Sequence, residues 1–106
     1  MKKIRAVQIG MGAMGKLAVR YMTDHGVEIV GAVDISPSLA GKDAGTVAGI
    51  PELGVKVETD LQALLDRGVQ AEIAVVMTQT PVADVFPYLK TCAEHKMDVV
   101  TISEDR

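Results

Sequence analysis

The sequence predicts an α/β fold in which a parallel sheet carries helices on both faces. Five short apolar runs rich in valine and isoleucine alternate with helical or loop-like segments, as the strands of such a sheet do. A G-x-G-x-x-G sequence at residues 10–15 follows the first run and opens a segment of helical periodicity. The second run ends at Asp34, 19 residues beyond Gly15. This order of strand, glycines, helix and acid is typical of a Rossmann-like, doubly wound domain that binds a dinucleotide.

Each glycine of this loop is expected at its position for a different steric reason. We expect Gly10 to permit the tight turn out of the strand, Gly12 to leave room for a pyrophosphate, and Gly15 to let the helix approach the sheet. The amide groups of the first helical turn would then face the phosphates. The alternative is a strand-to-helix turn that binds no ligand. Asp34 is predicted to bind the adenine ribose, with Ser36 beside it. The predicted cofactor contacts within the loop are Gly10, Met11, Gly12, Ala13, Met14 and Gly15.

The segment after the glycines has apolar residues at helical spacing, which we expect to pack on the sheet. They are Met14, Leu17, Ala18, Tyr21 and Met22. Residues 35–54 are rich in Gly, Ala, Ser and Pro and predict an ordered loop, with at most a helical turn at 43–47. A short edge strand is expected at 55–58. The spacing of a capping box that begins at Thr59 then predicts a short helix ending before Gly68.

The C-terminal half predicts a central strand at 71–77 and a fifth strand at 98–102, after which the sheet is truncated. Thr80 and Pro81 suit the start of a helix between these strands, and Pro87 predicts a kink in it. The buried stripe of that helix is predicted to comprise Val82, Val85, Phe86, Leu89, Cys92 and Ala93.

Right-handed crossovers between these elements predict the spatial strand order 3-2-1-4-5. Strands 1 and 4 then diverge at the centre, and ligands of such sheets bind beyond the carboxyl ends of the strands at this point. Thr78, Gln79 and Thr80 are therefore candidate contacts to the nicotinamide half of a cofactor. Plain helix capping is the alternative for these three residues.

Composition limits the partners. A formal net charge of −3 and 3% aromatic residues give no basis for nucleic-acid binding. No apolar run is long enough to span a membrane. The single cysteine, Cys92, cannot form an internal disulfide, which favours a cytoplasmic location. No metal-ligand spacing or catalytic triad is present in the sequence, so we predict a small-molecule cofactor and no metal.

Residues 38–49 read Ser-Leu-Ala-Gly-Lys-Asp-Ala-Gly-Thr-Val-Ala-Gly and resemble the S-L-x-G-x-D-A-G-x-x-A-G segment of dihydrodipicolinate reductases. Together with residues 9–15 and Asp34, the resemblance covers the N-terminal half, and the rest of the chain in layout only. Reductases of that family typically carry an Asp-Phe-Thr-like segment after strand four and Gly-Thr-Thr-Gly after strand five. Residues 77–81 and 101–104 instead read Met-Thr-Gln-Thr-Pro and Thr-Ile-Ser-Glu. They look more like the amine-oxidising relatives, the 2,4-diaminopentanoate dehydrogenases.

The resemblance implies that residues 1–106 form the cofactor domain of an oxidoreductase that exchanges a hydride between an amine or imine and NAD(H), possibly NADP(H). The family's catalytic residues lie in a C-terminal domain without a counterpart in this sequence, so no catalytic residue is assigned. We therefore expect no turnover from these residues by themselves. We also expect a homo-oligomer, because part of one sheet face and the edge of strand 5 are left uncovered. The alternative function is a free-standing dinucleotide-binding or regulatory module.

Overall fold

The computed structural model describes residues 4–34, 36, 38–78, 90, 94 and 96–103. The elements in chain order are β1 Arg5–Ile9, α1 Ala13–Asp24, β2 Glu28–Val33, α2 Ala44–Ala48, β3 Val57–Glu58, α3 Leu61–Asp66, β4 Ile73–Thr78 and β5 Asp98–Ser103. Apart from residue 90, the predicted helix of residues 82–93, with Pro87 and Cys92, lies outside the described residues.

The five strands form one sheet in the order β3-β2-β1-β4-β5, with every pair parallel. This confirms the predicted Rossmann-like fold class and strand order. At the amino ends of the strands, Arg5 joins β1 to Glu72, the residue before β4, through an ion pair of 3.0 Å. The side-chain hydrogen bond from Arg5 lowers the pKa of Glu72 to about 2. The two central strands are thus tied together at the end opposite the predicted site.

Alternating residues of the strands supply two apolar layers, one on each face of the sheet. The layer beneath α3 consists of Val7, Ile9, Val33, Leu61, Leu64, Leu65, Ala74, Val76 and Met97. The layer beneath α1 and α2 consists of Ala6, Met11, Val19, Ile29, Ala32, Ala44, Ala48 and Val57. The second layer is built largely from small residues, so α1 and α2 lie close to the sheet.

The predicted buried face of α1 is wrong at three of its five residues. Met14, Leu17 and Tyr21 are 43%, 53% and 65% exposed, whereas the helix buries Gly15 and Val19. Met22, which lies on the same stripe as these two, is partly buried. The glycine decides the orientation because the helix approaches the sheet most closely where a side chain is missing. Periodicity alone could not distinguish this small-residue stripe from the neighbouring stripe of large apolar residues.

The chain between β2 and β3 is as short as predicted, and α2 lies over the predicted turn at 43–47. β3 is shorter than predicted, because the chain at Val55 and Lys56 pairs instead with the loop. Ala44 N donates to the Val55 carbonyl at 2.7 Å, and Asp43 forms an antiparallel bridge with Lys56. The cap of α3 is Asp60, which accepts from Gln62 N and Ala63 N, and not Thr59 as the capping-box spacing predicted.

The Asp43 carboxylate holds the β2–β3 connection together. It accepts hydrogen bonds from five backbone amides, those of Gly45, Thr46, Leu53, Gly54 and Val55, at 2.8–3.2 Å. Two of these amides open α2, and the other three lie ten to twelve residues further along the chain. Burial raises the pKa of Asp43, but the hydrogen bonds from the backbone amides outweigh it, so the pKa is lowered overall. One side chain therefore ties the start of α2 to residues 53–55 at the other end of the loop.

We expect Asp43→Asn to lower the free energy of unfolding by about 2 kcal/mol or more at neutral pH, since the amide nitrogen of Asn cannot accept these bonds. A carboxyl whose pKa is lowered by folding stabilises above its unfolded pKa and loses that contribution as the pH falls through its folded pKa. The difference between the two proteins should therefore shrink below about pH 4.

Urea unfolding at pH 7 and pH 3 measures this difference. Asp60→Asn is the matched control, because Asn caps a helix about as well as Asp and little stability should be lost. Equal stability of Asp43→Asn and the parent at pH 7 would contradict the assigned role of Asp43.

Candidate functional site

The glycine loop leaves β1 at its carboxyl end, at the centre of the sheet between β2 and β4. Gly10 has φ +97°, a conformation that residues with a side chain rarely adopt, and its amide donates to the Val33 carbonyl at 2.7 Å. The chain turns here from β1 into α1. The predicted role of Gly10 in the turn therefore agrees with its geometry.

Gly15 and Gly12 differ in what a side chain would meet. A Cβ at Gly15 would overlap the Gly10 carbonyl oxygen and lie 3.3 Å from Gln8 Nε2, so the close packing of α1 requires glycine there. A Cβ at Gly12 would meet nothing within 4 Å. The protein's own packing thus gives no reason for glycine at position 12, and the space beside it is open to a ligand.

The N-terminus of α1 faces this space. Lys16 N is the first amide of the helix with a backbone acceptor, the Gly12 carbonyl at 2.9 Å, so the amides before it have no acceptor within the helix. Gly12, the N-cap residue, provides no side-chain cap, and the first turn carries no acidic residue. Gly12, Ala13 and Met14 are exposed. The positive end of a 12-residue helix is therefore free to meet an anion.

Asp34 follows β2 and reaches across to the glycine loop. Its Oδ2 accepts from Met11 N at 2.6 Å, and its Oδ1 accepts from Ser36 N at 2.8 Å. The carboxylate is half-buried and held in one orientation by these two amides. Each carboxylate oxygen can accept a further hydrogen bond. The acid and the phosphate-binding turn predicted from spacing are thus joined directly, through a bond that the spacing did not predict.

The other predicted contacts contribute in different ways. The Met11 side chain is fully buried in the layer beneath α1, so Met11 can contact a ligand only through its backbone. The hydroxyl of Ser36 lies 2.9 Å from that of Ser38, next to Asp34. Thr78 ends β4, paired through its backbone with Ser103 of β5. Gln79 and Thr80 lie outside the described residues, so their predicted contacts are not tested.

Gln8 is a residue of this region that the sequence reasoning missed. It is fully buried in β1, and its Nε2 donates to the Gly10 carbonyl at 3.0 Å. A glutamine within an otherwise apolar strand, two residues before the first glycine, was the available signal. Among the described residues, no group of three His, Cys, Asp or Glu side chains could hold a metal ion. Within the same part of the chain, no helix has the length and apolar character needed to cross a membrane.

A parallel sheet with a glycine loop, an open helix N-terminus and an acid at its central carboxyl edge defines a dinucleotide-binding domain. The family described as "Dihydrodipicolinate reductase, N-terminus" matches residues 4–102, and the chain belongs to this family.

The chain is similar to two different enzymes, a reductase and an amine dehydrogenase. The 4-hydroxy-tetrahydrodipicolinate reductase of Synechocystis sp. is 42% identical over 67 residues, which make up 62% of this chain and 24% of the reductase. The structure of an amine dehydrogenase from Mycobacterium smegmatis superposes with a TM-score of 0.88 at 38% identity and covers 97% of this chain and 30% of that one.

A second structure shares the fold alone. It is the WlbA dehydrogenase from Bordetella pertussis, in complex with NADH and UDP-GlcNAcA, with a TM-score of 0.69 at 23% identity, and the match covers 95% of this chain and 28% of that one. The chain therefore spans about a quarter of the length of the curated reductase that it matches. The predicted class, an NAD(P)-binding domain of an oxidoreductase family, is confirmed.

Proposed function

We propose that this domain binds NAD(H) across the glycine loop and presents the nicotinamide for hydride exchange with an amine or imine in a longer oxidoreductase. The observation that carries the proposal is the space at Gly12, where an added Cβ would meet nothing within 4 Å. That space lies at the open N-terminus of α1, and a pyrophosphate suits it in size, in charge and in its need for amide donors. An empty turn would not need glycine at this position.

Asp34 is the proposed partner of the adenine ribose. Its two oxygens are fixed by Met11 N and Ser36 N, and both keep an acceptor site for a ribose hydroxyl. A 2′-phosphate would bring negative charge against this carboxylate, so NAD(H) should be preferred over NADP(H). Lys16, Arg20 and Lys42 are cations near this part of the sequence that could reduce the preference.

The nicotinamide half of the cofactor is proposed to lie on the other side of the point where β1 and β4 diverge, beside the end of β4. Thr78 is the described residue there, and Gln79 and Thr80 remain proposed contacts. In the proposed oxidation, a hydride leaves the amine carbon for the nicotinamide and a proton leaves the nitrogen, which yields an imine. The reverse transfer reduces an imine. The 38% identity to an amine dehydrogenase over nearly the whole chain supports this substrate class.

The partners and location follow from the same proposal. A small-molecule cofactor is the proposed partner, and the net charge of −3 supports the prediction that nucleic acid is not bound. A single cysteine, which cannot form an internal disulfide, supports a cytoplasmic location.

Gly12→Val should weaken NADH binding at least about tenfold, equivalent to about 1.4 kcal/mol, because its branched side chain occupies the space proposed for the pyrophosphate. The variant should remain folded, since a Cβ at this position meets nothing within 4 Å and the backbone of Gly12, with φ −72°, suits a residue with a side chain. Calorimetric titration with NADH measures the affinity, and circular dichroism checks the fold.

Ala63→Val is the matched control, because it adds a similar branched side chain to an exposed helical position on α3. It should bind NADH like the parent. A folded Gly12→Val protein with the parent's affinity would refute the proposed position of the pyrophosphate.

Asp34→Ser should lower the ratio of NADH to NADPH affinity about tenfold, since it removes the charge that opposes a 2′-phosphate. Both affinities should also fall, because the bond to Met11 N depends on the same carboxylate. The ratio is therefore the quantity to measure, by titration with each cofactor.

Glu58→Gln is the control for this experiment. Asp34 N donates to the Glu58 carbonyl, so the two residues are neighbours, but the Glu58 carboxylate is paired with Arg67. Its removal should leave the ratio unchanged. An unchanged ratio of NADH to NADPH affinity in Asp34→Ser would show that Asp34 does not bind the ribose.

We further propose that the domain self-associates through the exposed apolar residues of α1. Met14, Leu17 and Tyr21 line one side of the helix, and β5 exposes Val100. Leu17→Glu should shift the protein towards monomer in light scattering at high concentration, whereas Ala63→Glu, at an exposed position on α3, should not. A strictly monomeric parent would contradict self-association.

A further inference from the structure

Gln8 occupies an unusual position for a polar residue. It lies in the central strand β1, paired with Ala32 of β2 and Val75 of β4, and its side chain is completely buried. It is the only buried polar or charged residue among those that the structure describes. Burial of a carboxamide is unfavourable unless its polar atoms are hydrogen-bonded. A glutamine at this position therefore needs a reason beyond packing.

The Gln8 carboxamide holds one side of a peptide group whose other side is held by Asp34. The Gly10 carbonyl accepts from Gln8 Nε2 at 3.0 Å, and Met11 N donates to Asp34 Oδ2 at 2.6 Å. This carbonyl and this N–H belong to the same planar peptide unit. Its orientation is thus fixed from both ends. We call this arrangement the peptide clamp of Gln8 and Asp34.

The peptide clamp acts at a glycine, where the absence of a Cβ leaves the backbone torsions least restricted. Gly10 has φ +97° and no Cβ, so its own torsions leave the Gly10–Met11 peptide group freer to rotate than those of a residue with a side chain would. A rotated peptide would direct its carbonyl away from Gln8 and its N–H away from Asp34. The acid proposed to bind the ribose would then lose one of the two amides that orient it.

The same side chain carries a penalty that an apolar residue would avoid. Gln8 Oε1 is buried and has no hydrogen-bond partner among the described residues. A buried acceptor without a donor destabilises the folded state. An apolar side chain of similar size would fill this space without that cost, so stability alone does not explain glutamine here.

We propose that Gln8 is a positioning residue for the dinucleotide site. Its amide group fixes the Gly10–Met11 peptide, and through that peptide it fixes Asp34 relative to the open N-terminus of α1. The inference rests on the proposed binding of NAD(H), and it assigns to a core residue a share of the cofactor affinity at the cost of fold stability.

Gln8→Met tests the inference, because methionine has a similar size and shape but neither donates nor accepts as the carboxamide does. We expect the NADH dissociation constant to rise at least about tenfold. We expect the urea midpoint of unfolding to stay the same or to rise. Val76→Ala is the control: it truncates a buried residue on the opposite face of the sheet, so it should lose stability while its NADH affinity stays within about twofold of the parent.

The outcomes separate the inference from the proposed function. A parent protein that does not bind NADH contradicts the proposed function, and the inference with it. A parent that binds NADH, together with a Gln8→Met variant that binds equally well, overturns the inference and leaves the function intact. A Gln8→Met variant that loses stability and affinity together reduces Gln8 to a packing residue and also overturns the inference.

Gln8→Glu provides a second test, made at pH values at which circular dichroism shows the variant to be folded. A protonated carboxyl group can donate to the Gly10 carbonyl, whereas an ionised one repels it. The strand neighbours Ala32 and Val75 and the overlying Gly15 carry no charge, and Asp34 is the ionisable group at the other end of the clamp. NADH affinity of the variant should therefore fall at least about tenfold as the pH rises and the introduced carboxyl ionises. A variant whose pH profile runs parallel to that of the parent would overturn the inference.

Discussion

The approach of α1 to the end of β1 determines most of this structure. Gly15 lies so close to the Gly10 carbonyl that no side chain fits between them. This contact sets the rotation of α1, so Val19 is buried while Leu17 and Tyr21 face outward. It also places the free amides of the helix beside the turn. The packing of the helix and the geometry of the candidate site therefore follow from a single missing Cβ.

The features that sequence predicted well are those fixed by backbone sterics or by a strong apolar period. The glycine turn, the five strands and the shortened connection after β2 belong to this group, because few conformations satisfy a G-x-G-x-x-G turn between a buried strand and a helix. The strand order followed from the handedness of crossovers, which holds whatever side chains are present. Asp34 was located by its distance along the chain from the glycines.

The features that sequence did not predict depend on tertiary contacts between particular atoms. Large apolar residues at helical spacing indicated the wrong face of α1, since closeness of approach favoured the stripe of Gly15 and Val19. Thr59 and Asp60 are both good caps, and only the backbone angles of the folded chain select Asp60. The bonds from Gln8 and Asp34 to one peptide unit join residues 8 and 34, which no local pattern relates.

The dependence of the β2–β3 connection on Asp43 has a consequence for how this family can vary. The sheet is held by ladder hydrogen bonds and two apolar layers, whereas in the loop beside the proposed ribose site a single carboxylate makes the side-chain bonds that join its two ends. Residues of its surface such as Ala40, Lys42 and Thr46 are exposed, and their side chains take no part in the hydrogen bonds to Asp43. Exchange of those residues can remodel the adenine side of the site without disturbing the sheet. Under the proposed function, cofactor selectivity can in this way change while the fold is maintained.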